Sequence, residues 1–179
     1  MIEDVSKAAT IGFKGEGEAI FLIGERKGHL GQSLWMRECH GRQDGPPPPV
    51  SLSDEADVGR LVKSLIHHGI LTAVHDCSDG GLLVALCEMA LAGNIGLSLD
   101  DALVAARAFG EDQGLYIVTT RDEEAVIRAC GWSFPSYVRL GATGGNSIRV
   151  NGIAIPLADL RAAHEGFFPA LMGADGALA

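Results

Sequence analysis

Apolar and polar residues alternate along this chain in two patterns, one typical of short strands and one typical of helices. The strand pattern consists of short apolar runs that end at glycine or polar residues, and the run at 18–24 is the clearest. The pattern predicts strands at 18–24, 71–75, 95–99, 115–119, 137–140 and 147–150. A tight hairpin is predicted through Asn151-Gly152, because this dipeptide supplies the positive φ angles of such a turn.

Helical spacing is clear between Val58 and Leu65, where the apolar residues form one stripe. We predict that Ser53 is the N-cap of this helix. The helix is predicted to end at His67 and His68, because cationic side chains suit the negative end of the helix dipole.

A second helical segment, at 82–92, is apolar on nearly all sides, which predicts a central helix stopped by Gly93. Further helices are predicted at 34–39, 102–109, 123–130 and 159–172. Strands and helices alternate irregularly, which favours an α/β (α+β) layered sandwich, a mixed sheet with flanking helices, over a doubly wound nucleotide fold. We expect one domain over 1–179, with a frayed tail at 173–179, and an extended surface linker at 46–49 because that segment is all proline.

The charge of the chain argues against one class of partner. The formal net charge is −9, the sequence pI is about 5.0, and no basic stripe appears, which opposes binding to a nucleic-acid backbone. The apolar runs are too short to span a membrane. The four cysteines show no Cys-x-x-Cys spacing and no secretory leader precedes them, so we expect reduced thiols in a cytoplasmic protein.

The connection His75-Asp-Cys-Ser-Asp-Gly-Gly81 places an imidazole, two carboxylates, a thiol and a hydroxyl within seven residues, which makes it the strongest candidate for a functional site in the chain. It lies between a predicted strand and the apolar helix, whose free N–H groups favour an anion such as phosphate, and its two glycines let the backbone approach a ligand closely. Asp76 suits Mg²⁺, which takes one or two protein carboxylates together with phosphate oxygens and water. Ser78 suits a hydrogen bond to a substrate oxygen.

The same residues fit a plainer structural interpretation. Ser78 or Asp79 would be the N-cap of the next helix, and Asp76 would cap a turn, since caps are far more common than metal sites. His75 alone is more typical of a core histidine with satisfied hydrogen bonds than of a ligand. The spacing leaves both interpretations open.

The segment 75–96 resembles a signature of the C-terminal domain in the large synthetase subunit of the phosphoribosylformylglycinamidine synthase family, within the AIR synthase-related superfamily. Flanking segments follow in family order and extend the resemblance over nearly the whole chain. They are 19–25, 28–33, the proline run, 109–113 and 140–145. Related proteins of the same superfamily carry recognisably different versions of the 75–81 turn. They are aminoimidazole ribonucleotide synthetase, thiamine monophosphate kinase, selenophosphate synthetase and a hydrogenase maturation factor.

The resemblance implies a part in an ATP-dependent amidation of formylglycinamide ribonucleotide. The substrate's amide oxygen is phosphorylated, ammonia derived from glutamine attacks, and phosphate leaves. The implied partners are the remaining domains of the synthetase subunit and a glutaminase domain or subunit, and the implied cofactors are Mg²⁺ and ATP. By position, the resemblance implies that Asp76 binds the metal, Ser78 contacts the substrate or nucleotide, and His75 lies against ATP.

No catalytic residue is assigned to the chain. The resembled family's catalytic histidine and most of its ATP and metal ligands lie in the N-terminal part of the subunit, to which nothing in this chain corresponds. A site shared between domains does not function with one wall alone, so we expect the chain by itself to be inactive. Two other functions stay open: a noncatalytic nucleotide-binding or interaction module, and a kinase of the same superfamily such as thiamine monophosphate kinase.

Other features of the sequence predict structural roles. Gly144-Gly145 is predicted to be a turn and not a phosphate loop, because no helix follows it. Trp35 and Trp132 are predicted to be packing residues. Cys77 is expected to be a poor nucleophile, because the neighbouring Asp76 raises the pKa of its thiol.

Overall fold

A computed structural model of the chain describes residues 4–131 and 136–173. Its strands are β1 Ala19–Ile23, β2 Leu71–Asp76, β3 Leu97–Leu99, β4 Tyr116–Thr120, β5 Tyr137–Thr143, β6 Ser147–Val150 and β7 Ile153–Pro156. Its α-helices are α1 Leu34–His40, α2 Leu52–His67, α3 Gly81–Gly93, α4 Ala105–Phe109, α5 Glu123–Cys130 and α6 Leu157–Leu171, with a short 3₁₀ helix at Val5–Lys7. The prediction for Trp132, and the predicted frayed tail at 173–179 apart from its first residue, lie outside the described residues.

The strands form one mixed sheet in the order β2-β4-β1-β5-β3-β6-β7. All neighbouring pairs are antiparallel except β3 and β6, which are parallel. Both β1 and β2 are antiparallel to β4, so they run in the same direction and their carboxyl ends lie at the same end of the sheet. This end of the sheet positions the site described below.

Helices cover both faces of the sheet, and β1 contributes to both apolar cores. Ile20 and Leu22 pack into a core with residues of α3, α4 and α6, while Phe21 and Ile23 pack into a second core with residues of α2 and α5. Side chains of a strand alternate between its two faces, which explains why all five β1 residues are buried. The predicted layered sandwich of a mixed sheet with flanking helices is confirmed.

Some predicted helix boundaries were wrong, and the hydrogen bonds explain why. The N-cap of α2 is Ser51 and not Ser53, since the Ser51 side chain accepts from the N–H of Asp54. Helix α4 begins at Ala105 and not at 102, because both backbone polar groups of Leu103 are bonded to the Asn151 side chain at 2.7 and 2.8 Å. The predicted hairpin through 151–152 joins β6 and β7.

The predicted linker and turn are confirmed. The proline run at 46–49 lies outside every helix and strand and is mostly exposed, and Gly144-Gly145 connects β5 to β6. Trp35 packs as predicted, since its ring stacks on Phe109 with the centroids 4.3 Å apart. Within the described ranges, no helix is long and apolar enough to cross a membrane.

Candidate functional site

A cleft of about 390 Å³ opens where β2 ends and α3 begins. Asp76, the last residue of β2, is paired in register with Tyr116 of β4, which also pairs with Ile23 at the end of β1. The polar side chains of the 75–81 connection therefore meet the loop that follows β1. The cleft is lined by Gly31, Gln32, Pro48, Glu55, Asp76, Cys77, Ser78, Asp79, Glu111, Gln113, Gly114, Leu115 and Tyr116.

The carboxylate of Asp76 is presented to solvent in this cleft. Its side chain is 65% exposed, and its Oδ1 lies 3.5 Å from Nδ1 of His75. Within residues 4–131 and 136–173 it accepts no hydrogen bond from a turn, so the structure does not support a capping role for Asp76. The carboxylate is available to a ligand.

His75 is packed differently from its neighbours. Its side chain is 15% exposed, and its Nε2 lies 2.8 Å from Oε2 of Glu88 on α3. The imidazole thus bridges two carboxylates, Glu88 through one ring nitrogen and Asp76 more loosely through the other. This geometry suits a residue that orients Asp76, and the contact between His75 and ATP remains a proposal.

The start of α3 is not capped by the residues that the plainer interpretation named. Its N-cap is Gly80, no side chain caps the helix in the described part of the chain, and Ser78 and Asp79 are exposed in the cleft. The carbonyl of Ser78 accepts from the N–H of Gly81 at 3.0 Å, which closes the turn. The Ser78 hydroxyl and the Asp79 carboxylate are thus left facing solvent.

Of the two glycines, Gly80 and Gly81, the role inferred from the sequence needs correction at Gly81. Both have positive φ, 82° at Gly80 and 69° at Gly81, a conformation that favours glycine. A Cβ on Gly81 would lie 2.6 Å from the carbonyl oxygen of Gly110 and 2.8 Å from the carbonyl carbon of Phe109. The close approach is therefore made by the protein's own backbone, and it seats α3 against the end of α4.

Two acidic residues connect the loops that line the cleft by accepting hydrogen bonds from backbone N–H groups. These roles were not predicted from the sequence. Oε1 of Glu111 accepts from the N–H of Gly80 and from the N–H of Leu34, each at 2.8 Å, and so ties the 75–81 turn to the start of α1. Both acidic residues lie in the 109–113 segment, which forms part of the family resemblance, but the resemblance assigned no role to either of them.

Asp112 fastens the loop after β1. It is buried, and its carboxylate accepts from the backbone N–H groups of Lys27, Gly28 and His29 at 2.9, 2.6 and 3.1 Å. A buried carboxylate with several N–H donors keeps its charge compensated without a cation. The adjacent acids 111 and 112 therefore fix two loops that line the cleft.

Cys77 is buried beneath the connection, and the prediction that its thiol is unreactive agrees with its environment. Burial, with a smaller contribution from the Asp76 carboxylate, raises the pKa of Cys77 to about 12. The pKa shift predicted from the neighbouring Asp76 has the right direction, and burial is its larger cause. A thiol with this pKa is protonated at neutral pH and is a poor nucleophile.

The oxygen ligands around Asp76 suit a hard cation that also binds phosphate oxygens better than a cation bound by protein side chains alone. In the part of the chain that the structure describes, no group of three or more His, Cys, Asp and Glu side chains is arranged to hold a metal ion. Mg²⁺ usually takes one or two protein carboxylates and completes its octahedron with phosphate oxygens and water. The exposed Asp76 carboxylate meets that requirement.

The mixed sheet with helices on both faces defines a layered α/β domain that has a cleft at its strand ends. Residues 15–147 match the family model "AIR synthase related protein, C-terminal domain". The chain belongs to this family.

The curated relatives extend this assignment. The chain is 48% identical over 180 residues to phosphoribosylformylglycinamidine synthase subunit PurL of Rhodopseudomonas palustris strain TIE-1, covering 97% of the chain and 24% of the relative. It is 50% identical over 187 residues to the same subunit of Parvibaculum lavamentivorans, covering 99% of the chain and 25% of the relative. The chain thus spans about a quarter of the length of these relatives.

Solved structures share the fold. Thermotoga maritima PurL complexed with FGAR superposes with a TM-score of 0.66 at 12% identity, covering 86% of this chain and 29% of that one. Escherichia coli HypE, a hydrogenase maturation protein, superposes with a TM-score of 0.60 at 17% identity, covering 84% of this chain and 52% of HypE.

Proposed function

We propose that the chain is the C-terminal domain of a phosphoribosylformylglycinamidine synthase, over 1–179, and contributes one wall of its nucleotide and substrate site. The observation that carries the proposal is the exposed Asp76 carboxylate at the mouth of a cleft beside the uncapped start of α3. The identity of about 48% to PurL subunits over nearly the whole chain supports the choice of reaction.

The reaction proposed for the whole protein is ATP- and glutamine-dependent. Phosphorylation of the amide oxygen of formylglycinamide ribonucleotide makes that oxygen a leaving group, ammonia attacks the same carbon, and loss of phosphate gives the amidine. The ammonia would come from a glutaminase domain or subunit in the cytoplasm. The other domains of the synthetase subunit would supply the rest of the site.

Within that reaction, this chain binds and orients. Asp76 is proposed to hold Mg²⁺, which when bound would offset charge on the nucleotide phosphates. Ser78 is proposed to donate its hydroxyl hydrogen to a substrate oxygen, since that hydroxyl is exposed in the cleft. His75 is proposed to lie against ATP at its exposed edge while its contact with Glu88 fixes the ring.

Activity measurements on the full-length protein that carries this chain test the proposal. We expect ATP-dependent conversion of formylglycinamide ribonucleotide with glutamine or ammonium as nitrogen source, and no phosphorylation of thiamine monophosphate. The 179-residue chain alone is expected to show no turnover and at most weak Mg-ATP binding by calorimetry, because most phosphate contacts would come from other domains. Phosphorylation of thiamine monophosphate without amidation, or micromolar Mg-ATP binding by the chain alone, would contradict the proposal.

A further inference from the structure

A second cavity, of about 320 Å³, lies at the same end of the sheet, and arginines dominate its charge. We call it the arginine cavity. Its lining includes Arg26, Arg107 and Arg139 together with the apolar side chains of Leu99, Leu103 and Val138. Its volume falls in the range of small-molecule sites.

Arg26 carries a hydrogen-bond donor that the described protein atoms do not satisfy. Its Nη1 is buried and has no hydrogen-bond partner within residues 4–131 and 136–173. Buried polar groups are nearly always paired, and an unpaired charged donor costs free energy in the folded state. Because Nη1 is shielded from solvent, an anion in the arginine cavity would satisfy it only after the Arg26 side chain turns towards that anion.

The neighbours of Arg26 increase the need for negative charge. Burial and the nearby guanidinium of Arg107 both lower the pKa of Arg26, in that order of size. Asp112 acts in the opposite direction, but its carboxylate already accepts three backbone N–H groups. Neither Arg26 nor Arg107 forms an ion pair with a carboxylate in the described ranges.

The other charged side chains that line the arginine cavity form no ion pair with Arg26 or Arg107 in the described ranges, so both guanidinium groups can bind a ligand. Arg139 is paired with Glu123, Nε to Oε2 at 2.9 Å, and with Asp100. The Glu25 carboxylate is paired with Lys27 at 2.9 Å, and Asp101 is exposed at the rim.

We propose that Arg26 and Arg107 bind the phosphate group of a small phosphorylated metabolite in the arginine cavity. A guanidinium matches the geometry of phosphate oxygens and donates two hydrogen bonds side by side. The apolar side chains of Leu99, Leu103 and Val138 give the non-phosphate part of the ligand a surface to contact. This site is separate from the Asp76 cleft and does not depend on the amidation proposed above.

Calorimetry and thermal melting of the 179-residue chain test the site with two probes, inorganic phosphate and ribose 5-phosphate, each compared with KCl at matched ionic strength. The variants are Arg26→Gln and Arg107→Gln, which remove the charge from each side of the cavity. The control is Arg60→Gln, which removes an exposed arginine of α2 that forms an ion pair with Asp57.

We expect both probes to raise the melting temperature more than KCl does, since a ligand that binds only the folded state stabilises it. Each cavity variant should weaken binding by about tenfold or more, as for the loss of a charge-assisted hydrogen bond, and Arg60→Gln should leave it within about twofold. Arg26→Gln should fold, because Nη1 has no hydrogen-bond partner to lose among residues 4–131 and 136–173. Tighter binding of ribose 5-phosphate would identify a sugar phosphate as the ligand class, and equal binding would identify phosphate alone.

Stabilisation no greater than that from KCl would overturn the proposal. Retention of wild-type affinity in both Arg26→Gln and Arg107→Gln would also overturn it.

Discussion

At the scale of single residues, the 75–81 connection separates groups that face a ligand from groups that hold the fold. Asp76, Ser78 and Asp79 are exposed in the cleft, whereas Cys77 between them is buried. The division arises because Cys77, directly after β2, packs into the apolar core with residues of α3, whereas the side chains on either side of it face the cleft. The thiol can therefore be tested independently of the proposed chemistry.

The four cysteines are predicted to differ sharply in alkylation rate. Cys39 is exposed, whereas burial raises the pKa of Cys77 to about 12 and that of Cys87 and Cys130 to about 11. The thiolate is the reactive form, so at pH 8 only about one Cys77 thiol in ten thousand is ionised, and the fraction rises as the pH rises towards 12. Mass spectrometry after iodoacetamide treatment at pH 8 should find Cys39 modified first.

The matched control is Cys39→Ser, which should remove nearly all rapid labelling while urea-unfolded chain labels at the three remaining sites. Rapid modification of Cys77 in the folded chain would show that the connection is not packed as described.

At the scale of elements, the position of α3 depends on Gly81. We predict that Gly81→Ala destabilises the chain by more than about 2 kcal/mol, because alanine is strained at φ 69° and its Cβ would collide with the backbone of Phe109 and Gly110. The comparison is Gly59→Ala in the middle of α2, where a new Cβ has nothing within 4 Å. That change should stabilise the chain by about 0.5–1 kcal/mol through helix propensity.

Chemical denaturation of the two variants measures the difference. Equal effects of the two substitutions would refute the backbone contact between α3 and α4.

The elements that the sequence predicted best are those that depend on local pattern. The apolar run of β1, the stripe of α2 and the hairpin at 151–152 each contain their own signal, so these elements were predicted correctly. The start of α4 was misplaced because the side chain of Asn151 binds Leu103, which is 48 residues away. A contact between residues so far apart in sequence cannot be predicted from the local pattern of apolar and polar residues.

The candidate site shows the same limit. The 75–81 connection was found from residue types alone, because carboxylates, a hydroxyl and glycines coincide between a strand and a helix. The roles of Glu111 and Asp112 were missed, since their partners at 27–29, 34 and 80 come together only in the folded chain. The arginine cavity was missed for the same reason, since Arg26 and Arg107 are 81 positions apart.

At the scale of the whole molecule, the sheet brings the ends of β1 and β2 together and the acids 111 and 112 tie their loops into one wall. The chain spans about a quarter of its curated relatives, so a complete site would need groups from elsewhere in such a protein. We therefore propose that this chain binds and orients, and we assign no general acid or base to it.

We propose that the Asp76 carboxylate shares Mg²⁺ with nucleotide phosphates. The most direct test is Asp76→Asn in the full-length protein, with amidation rate measured against Mg²⁺ concentration and melting temperature measured in parallel. Asparagine keeps size and hydrogen-bonding capacity but removes the charge, so we predict a rate lower by about a hundredfold or more, partly recovered at high Mg²⁺, with unchanged melting. Asp57→Asn on α2, where the carboxylate is exposed outside the cleft, should leave both quantities unchanged. A near-normal rate at low Mg²⁺ in Asp76→Asn would contradict the claim.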